Sequence, residues 1–130
     1  MLDFRVDTGS GLAPYAQLVQ QVKQALRLGW LAPGDKLPTV HEVAASVAIN
    51  PNTVLKAYKE LEREGLAIGR PGQGTYIQRS LSQLTPASYA MLRRRLQRWI
   101  LAAREAGLDN DGIMDVVHAT MRDSTAAEIA

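Results

Sequence analysis

The sequence predicts a mainly α-helical chain with one small β-hairpin, followed by a C-terminal segment of two helices. Three observations lead there. Apolar residues recur at helical spacing in successive stretches of the 130 residues. Helix-start signals stand in front of them: Pro14, Thr39-Val40-His41-Glu42, Asn50-Pro51 and Thr85-Pro86. Between the third and fourth stretch, Leu66-Ala67-Ile68-Gly69-Arg70 and Thr75-Tyr76-Ile77-Gln78 flank Pro71-Gly72-Gln73-Gly74, the make-up of two strands and their turn.

Taken in order, residues 1–11 read as an N-terminal arm. Leu2 to Val6 alternates apolar and polar, as a short strand or packed arm does, and Asp7-Thr8-Gly9-Ser10-Gly11 breaks it. Pro14 opens the first helix, since its fixed φ suits the first turn and its missing N–H is not needed there. Tyr15, Leu18, Val22, Ala25 and Leu26 form its apolar face, Gly29 caps it, and Pro33-Gly34 signals a type II turn. Thr39 and Glu42 make a capping box for a short helix that turns Val43, Ala44 and Val47 inward. Asn50 and Pro51 start the next helix almost at once, with Val54, Tyr58 and Leu61 on its buried face and Gly65 at its end. Residues 80–85 read as a linker. A helix of about 21 residues, about 30 Å long, then carries Tyr89, Leu92, Leu96, Trp99, Ile100 and Ala103 as its stripe. Gly107 to Asn110 turns the chain into a last helix bearing Ile113, Val116, Val117 and Met121, and the tail from Ser124 to residue 130 is expected to fray.

Hydrophobic residues make up 46% and charged residues 22%, the balance of a globular chain rather than a disordered one. With no cysteine there is neither a disulfide framework nor a thiolate metal site. Met1 to Arg5 lacks the basic and apolar regions of a signal peptide, and no run reaches the roughly 18 apolar residues of a membrane span. These features point to a cytoplasmic protein. The net charge of +2 says little about a polyanionic partner. Its distribution says more: Arg93, Arg94, Arg95, Arg98 and Arg104 crowd the long helix, while Asp109, Asp111, Asp115, Asp123 and Glu128 follow it. Neighbouring helices with complementary charge, or a plain solvated face, explain these runs better than a contact with phosphate does.

Two short helices joined by a tight turn and followed by a hairpin make a winged helix-turn-helix over residues 12–79. The second helix has the diameter of a major groove, and residues at its start reach base edges. Those residues are Asn50, Asn52, Thr53 and Lys56, with Lys59 one turn on. Asn can pair bidentately with adenine, Thr can touch a thymine methyl, and Lys can reach guanine or phosphate. Arg70, Gly72 and Gln73 form a small wing tip able to approach a phosphate or a minor groove. Thr39 and His41, at the start of the preceding helix, complete the candidate DNA-binding set. Each has a plainer role to set beside this one: Asn50 as a helix cap, and Lys56, Lys59 and Arg63 as surface partners of Glu60, Glu62 and Glu64.

The runs Pro33-Gly34-Asp35-Lys36-Leu37-Pro38-Thr39, Ile49-Asn50-Pro51-Asn52-Thr53-Val54, Glu62-Arg63-Glu64-Gly65-Leu66 and Gly72-Gln73-Gly74-Thr75-Tyr76-Ile77 together resemble the DNA-binding domain of the GntR family. The Asn-Pro-Asn-Thr-Val opening and the short C-terminal part resemble its YtrA subfamily. That resemblance implies a homodimeric repressor with a two-helix dimerisation segment, often acting on ABC-transporter operons. The chain departs from the wider family at His41, Pro51 and Leu55, where many members carry DNA-gripping arginines. Asn52, Thr53, Lys56 and the wing are therefore expected to carry the reading. Ala48 stands where the turn often has Gly, so the turn must either avoid a positive φ or tolerate strain.

Residues 86–123 cannot enclose a core alone, so their stripes need a partner. A second copy of the chain fits, with Leu92, Leu96, Trp99, Ile100, Ala103, Ile113, Val117 and Met121 at the interface, and two-fold symmetry would present two recognition helices to a palindrome. A small-molecule effector of unknown identity would have room only at that interface. His118 and Asp115 share a helix face, but with no Cys and two His in the chain no metal site is expected. No cofactor is expected either. An enzyme is excluded by inventory: there is no G-x-S-x-G, no phosphate loop and no carboxylate pair in an acid/base setting. The competing reading is a protein-interaction module on a winged-helix scaffold. It would call for an apolar exposed recognition helix, and here Asn52, Thr53, Lys56 and Lys59 are polar, although Leu55 is not.

Overall fold

The computed structural model describes residues 2–129, with side-chain surroundings through Ser124. Five helices and one hairpin follow in the order α1 (Pro14–Arg27), α2 (Val40–Val47), α3 (Pro51–Arg63), β1 (Ala67–Arg70), β2 (Gly74–Ile77), α4 (Pro86–Glu105) and α5 (Asn110–Ile129). The chain divides into two compact units, Met1–Tyr89 and Ala90–Ala130.

The first unit packs α1, α2 and α3 around one core. Leu18, Val22 and Leu26 of α1, Val43 of α2, and Val54, Tyr58 and Leu61 of α3 are all buried, closed over by Leu66 and Ile77 of the hairpin region. The Tyr58 hydroxyl donates to the Pro38 carbonyl at 2.5 Å, which satisfies the one polar atom this ring carries inward. Lys23 and Glu64 tie α1 to the end of α3 at 2.7 Å.

The N-terminal residues form a packed arm and not a strand. Side-chain amides take the place of a partner strand: the Arg5 N–H donates to Gln21 Oε1 at 2.9 Å, and Gln21 Nε2 donates back to the Arg5 carbonyl at 2.6 Å. Gln17, the buried polar residue of α1, bonds both the N–H and the carbonyl of Asp7 and also the Leu12 carbonyl. Phe4 is thereby drawn into the core.

The turn between α2 and α3 accepts strain rather than avoiding it. Ala48 sits in the left-handed region at φ 55° and ψ 50°, which costs a residue with a Cβ about 1–2 kcal/mol. The conformation is held because Asn50 must follow two residues later as the N-cap of α3, its side chain accepting from the Asn52 N–H at 2.8 Å. The hairpin pairs Ala67 with Ile77 through Arg70 with Gly74. A further edge is added by the segment before α2: the Leu37 N–H donates to the Thr75 carbonyl at 2.9 Å and the Ile77 N–H to the Asp35 carbonyl at 2.8 Å. Sequence pattern gives the Pro33-Gly34 turn before that segment and no strand in it.

Residues 80–85, expected as a linker, dock on the end of α1. Ser82 Oγ donates to the Arg27 carbonyl at 2.6 Å. At Gly29, where φ is +76°, an added Cβ would lie 2.4 Å from the Leu84 carbonyl oxygen. Glycine there serves both the helix cap and the close approach. Trp30 meets Tyr89 edge to face at 5.8 Å between ring centroids.

In the second unit, Gly107, two residues past the end of α4, takes φ +101°, and the Leu108 N–H reaches back to the Ala103 carbonyl at 3.0 Å, the C-terminal lock that a left-handed glycine permits. Asp109 caps α5 through the Gly112 N–H at 2.8 Å. Helix α5 runs through Ile129, so the frayed tail expected from Ser124 is instead helical as far as the structure describes it. Ala126, Ala127 and Glu128 are strong helix formers, which accounts for the extension. Met1 and Ala130, the outermost residues of the expected arm and tail, lie outside the described residues.

Candidate nucleic-acid interface

The first half of the interface is the exposed start of α3. Pro51 occupies the first helical position and Asn50 the cap, so the backbone enters the helix with Asn52 exposed and Thr53 half-buried beside it. The Asn50 side-chain oxygen is engaged by the Asn52 N–H. That makes Asn50 first a structural residue, with its amide N–H groups left over for a partner. Lys56, one turn on, is exposed and lies with Nζ 4.0 Å from the centroid of the Tyr15 ring on α1. Pro14, Tyr15, Asn50, Asn52, Thr53 and Lys56 line one open cleft.

Cations further along α3 divide by their partners. Arg63 is forked onto Glu60, with Nε to Oε2 at 2.8 Å and a second bond at 2.5 Å. This guanidinium holds the Glu60 carboxyl at about 2, well below its ordinary range, and the pair neutralises itself. Glu64 is engaged by Lys23. Among the described residues no carboxylate pairs with Lys56 or Lys59, so the interleaved surface pairing weighed for them does not form.

The second half is the wing. Gly72 and Gly74 adopt positive φ, 74° and 120°, which lets the Gln73 N–H close the turn on the Arg70 carbonyl at 2.9 Å. The Arg70 guanidinium carbon stands 4.5 Å from the centroid of the Tyr76 ring. Thr39, Arg70, Gly72 and Gln73 line a second depression together with Lys36. A Cβ at Gly74 would meet Lys36 Cε at 2.8 Å, so the glycine makes room for the lysine stem. His41 and Lys59 are exposed but line neither depression. Thr39 caps α2, its Oγ1 accepting from the Glu42 N–H at 3.1 Å.

Sequence reasoning missed Lys36, Tyr15 and Tyr76 as members of this surface. Lys36 had a signal, because it stands three residues before Thr39 in an extended run. Tyr15 sits at core spacing on α1, and it does pack against the core with its inner edge. Nothing local announces that its face meets α3.

In the second unit Leu92 and Leu96 are each 50% exposed and Trp99 37%, an apolar stripe open to solvent on a chain of this size. Ile100 and Val117 are half-buried, and Met121 is exposed. Ala103 and Ile113, expected at the same interface, are already buried within the segment. The arginines of α4 form no ion pair with the acidic residues of α5 among the described residues. Among the described residues, no helix is long and apolar enough to cross a membrane.

Residues 14–77 match the family model described as bacterial regulatory proteins, gntR family. The chain is 42% identical over 106 residues to the HTH-type transcriptional repressor YtrA of Bacillus subtilis, spanning 81% of this chain and 82% of that one. Among solved structures it resembles YtrA from Sulfolobus acidocaldarius, a GntR-family transcription factor, with a TM-score of 0.54, 28% identity, and coverage of 92% and 97% of the two chains. It also resembles the DNA-binding domain of AraR in complex with operator ORX1, with a TM-score of 0.53 and 26% identity over 57% of this chain and 94% of that one.

Proposed function

Because the chain belongs to the gntR family of bacterial regulatory proteins and to its YtrA-type branch, we propose that this DNA-binding transcription regulator is a homodimeric repressor that reads a palindromic operator through the start of α3 and the wing. The observation that carries the reading is the pair of depressions. One gathers Asn50, Asn52, Thr53 and Lys56, the other Thr39, Arg70, Gly72 and Gln73 with Lys36, and among the described residues no carboxylate pairs with Lys36, Lys56 or Arg70. Asn52 and Thr53 read base edges in the major groove, Lys56 takes guanine or phosphate, and the wing takes the backbone or minor groove. His41 and Lys59, both exposed, serve as outlying contacts. AraR, whose DNA-binding domain is held on its operator in a solved structure, supports this placement by likeness.

Dimerisation belongs to residues 86–123. The exposed stripe of Leu92, Leu96 and Trp99 supplies its anchors, with Ile100, Val117 and Met121 beside them, since aromatic and branched side chains in a desolvated patch dominate interface energy. Two-fold symmetry then sets two α3 helices against half-sites about 34 Å apart. By its likeness to YtrA, the regulated genes would include an ABC-transporter operon, and any effector would lodge between the two copies. A protein-interaction module is the weaker reading, because among the leading residues of α3 only Leu55 is an exposed apolar side chain.

Electrophoretic mobility shift with DNA from upstream of the chain's own gene tests the proposal. The expected result is a sequence-selective complex at nanomolar protein that weakens steeply with salt. Equal retention of unrelated duplex, or none at all, would overturn it.

A further inference from the structure

Four cations of the first unit rest on two kinds of support. Lys23 and Arg63 are held by carboxylates, Glu64 and Glu60, and their charge is cancelled where it stands. Lys56 and Arg70 are held by aromatic faces, Tyr15 at 4.0 Å and Tyr76 at 4.5 Å. A ring face attracts a cation through its quadrupole and fixes its direction, but it carries no net charge. The cation stays fully available to a phosphate. Both tyrosines are half-buried and set on other elements than the start of the side chain they hold: Tyr15 reaches Lys56 from α1, and Tyr76 reaches Arg70 from the facing strand.

We propose that Tyr15 and Tyr76 are positioning residues of the DNA interface: each holds one cation extended towards the DNA backbone without neutralising it. The proposal rests on the DNA-binding reading given above. Flexible lysine and arginine side chains lose rotamer freedom when they are fixed on a phosphate. A ring that has already restricted them lowers that loss, so affinity rises with no added contact to DNA. The ring also sets the direction in which Lys56 leaves α3, beside Asn52 and Thr53.

The test is a set of double-mutant cycles on the full chain, with a duplex selected by the protein from random-sequence DNA. Tyr15→Leu is expected to weaken binding about two- to fivefold, and Tyr15→Phe, which keeps the ring, to stay within about twofold. The slope of log affinity against log salt should not change in either, because the number of phosphates neutralised is the same. In a Lys56→Met background, Tyr15→Leu should have no further effect. Tyr76→Leu is expected to behave likewise with and without Arg70→Met. Nuclear magnetic resonance of the DNA-free protein supplies a readout independent of binding. The Lys56 ε-methylene protons should be shifted upfield by the Tyr15 ring and return to ordinary values in Tyr15→Leu. If Tyr15→Leu costs as much with Met at position 56 as with Lys, the tyrosine acts through folding or touches DNA itself, and the proposal fails. A wild-type chain that selects no duplex would remove the DNA reading and this proposal together; a wild type that binds, with additive tyrosine and cation effects, removes this proposal alone.

Discussion

The two units of the chain solve the problem of apolar surface in opposite ways. Met1–Tyr89 closes a core: Leu18, Val22, Leu26, Val54 and Leu61 are fully buried, and an arm is tied over α1 by Gln17 and Gln21. Ala90–Ala130 buries only Ala103 and Ile113 among its described residues, and leaves Leu92, Leu96, Leu101, Met114 and Met121 exposed. The first unit is built to stand alone and present polar groups outward. The second has well-capped helices, Asp109 at one end of the turn and Gly107 at the other, but buries few apolar side chains among its described residues. Local signals are enough to form helices; they are not enough to stabilise them, because most helix stability in proteins comes from packing of the apolar face.

The sharpest way to break this comparison is in the core. Leu61→Ala, at a fully buried site, should destabilise the first unit by about 2–5 kcal/mol, read by urea denaturation, whereas Leu96→Ala should leave that transition where it is. Equal losses would mean that the two units share one core. Next, Trp99→Asp should shift the chain to monomer in light scattering, at a cost of about 2–4 kcal/mol to association, with the unfolding of the first unit unchanged; a persistent dimer would move the interface elsewhere.

Lys56→Ala should weaken operator binding about tenfold and lower the salt slope by about 1. Replacing Arg93, Arg94 and Arg95 together with Ala should leave the slope as it is. A matching fall there would extend the DNA surface into the second unit. A smaller effect is set by Tyr58. Burial, with a lesser push from Glu42, raises its phenol far above the ordinary value of 10.0. Above pH 10 the folded chain therefore keeps a proton that the unfolded chain gives up, and stability falls as pH rises. Tyr58→Phe should cost about 1 kcal/mol at neutral pH by leaving the Pro38 carbonyl unmet, and should flatten the decline between pH 9 and 11 in denaturation curves. The smallest expected change is a gain: Ala48→Gly relieves the left-handed strain against a larger unfolded-state entropy, a net of about 0.5–1 kcal/mol read as a higher melting temperature.

Much of this molecule is dictated by the order of residues along the chain. Pro14, Thr39, Asn50 with Pro51, Gly29 and Gly65 start and stop helices through groups they carry or lack, and those effects reach only a turn or so. The wing follows from its glycines in the same way, and the polar start of α3 from Asn50, Asn52, Thr53 and Lys56. Tertiary structure decided what depends on distant partners. It turned the alternating arm into a side-chain-tied strap, because amides of α1 and not a strand stand opposite it. It added residues 35–37 to the hairpin, docked residues 80–85 on α1, and held Ala48 at a φ that its side chain disfavours. It also separated the cations that cancel themselves on Glu60 and Glu64 from those that Tyr15 and Tyr76 hold ready. Spacing along one helix tells which residues share a face; only the packing of a second element onto that face tells what each charge meets.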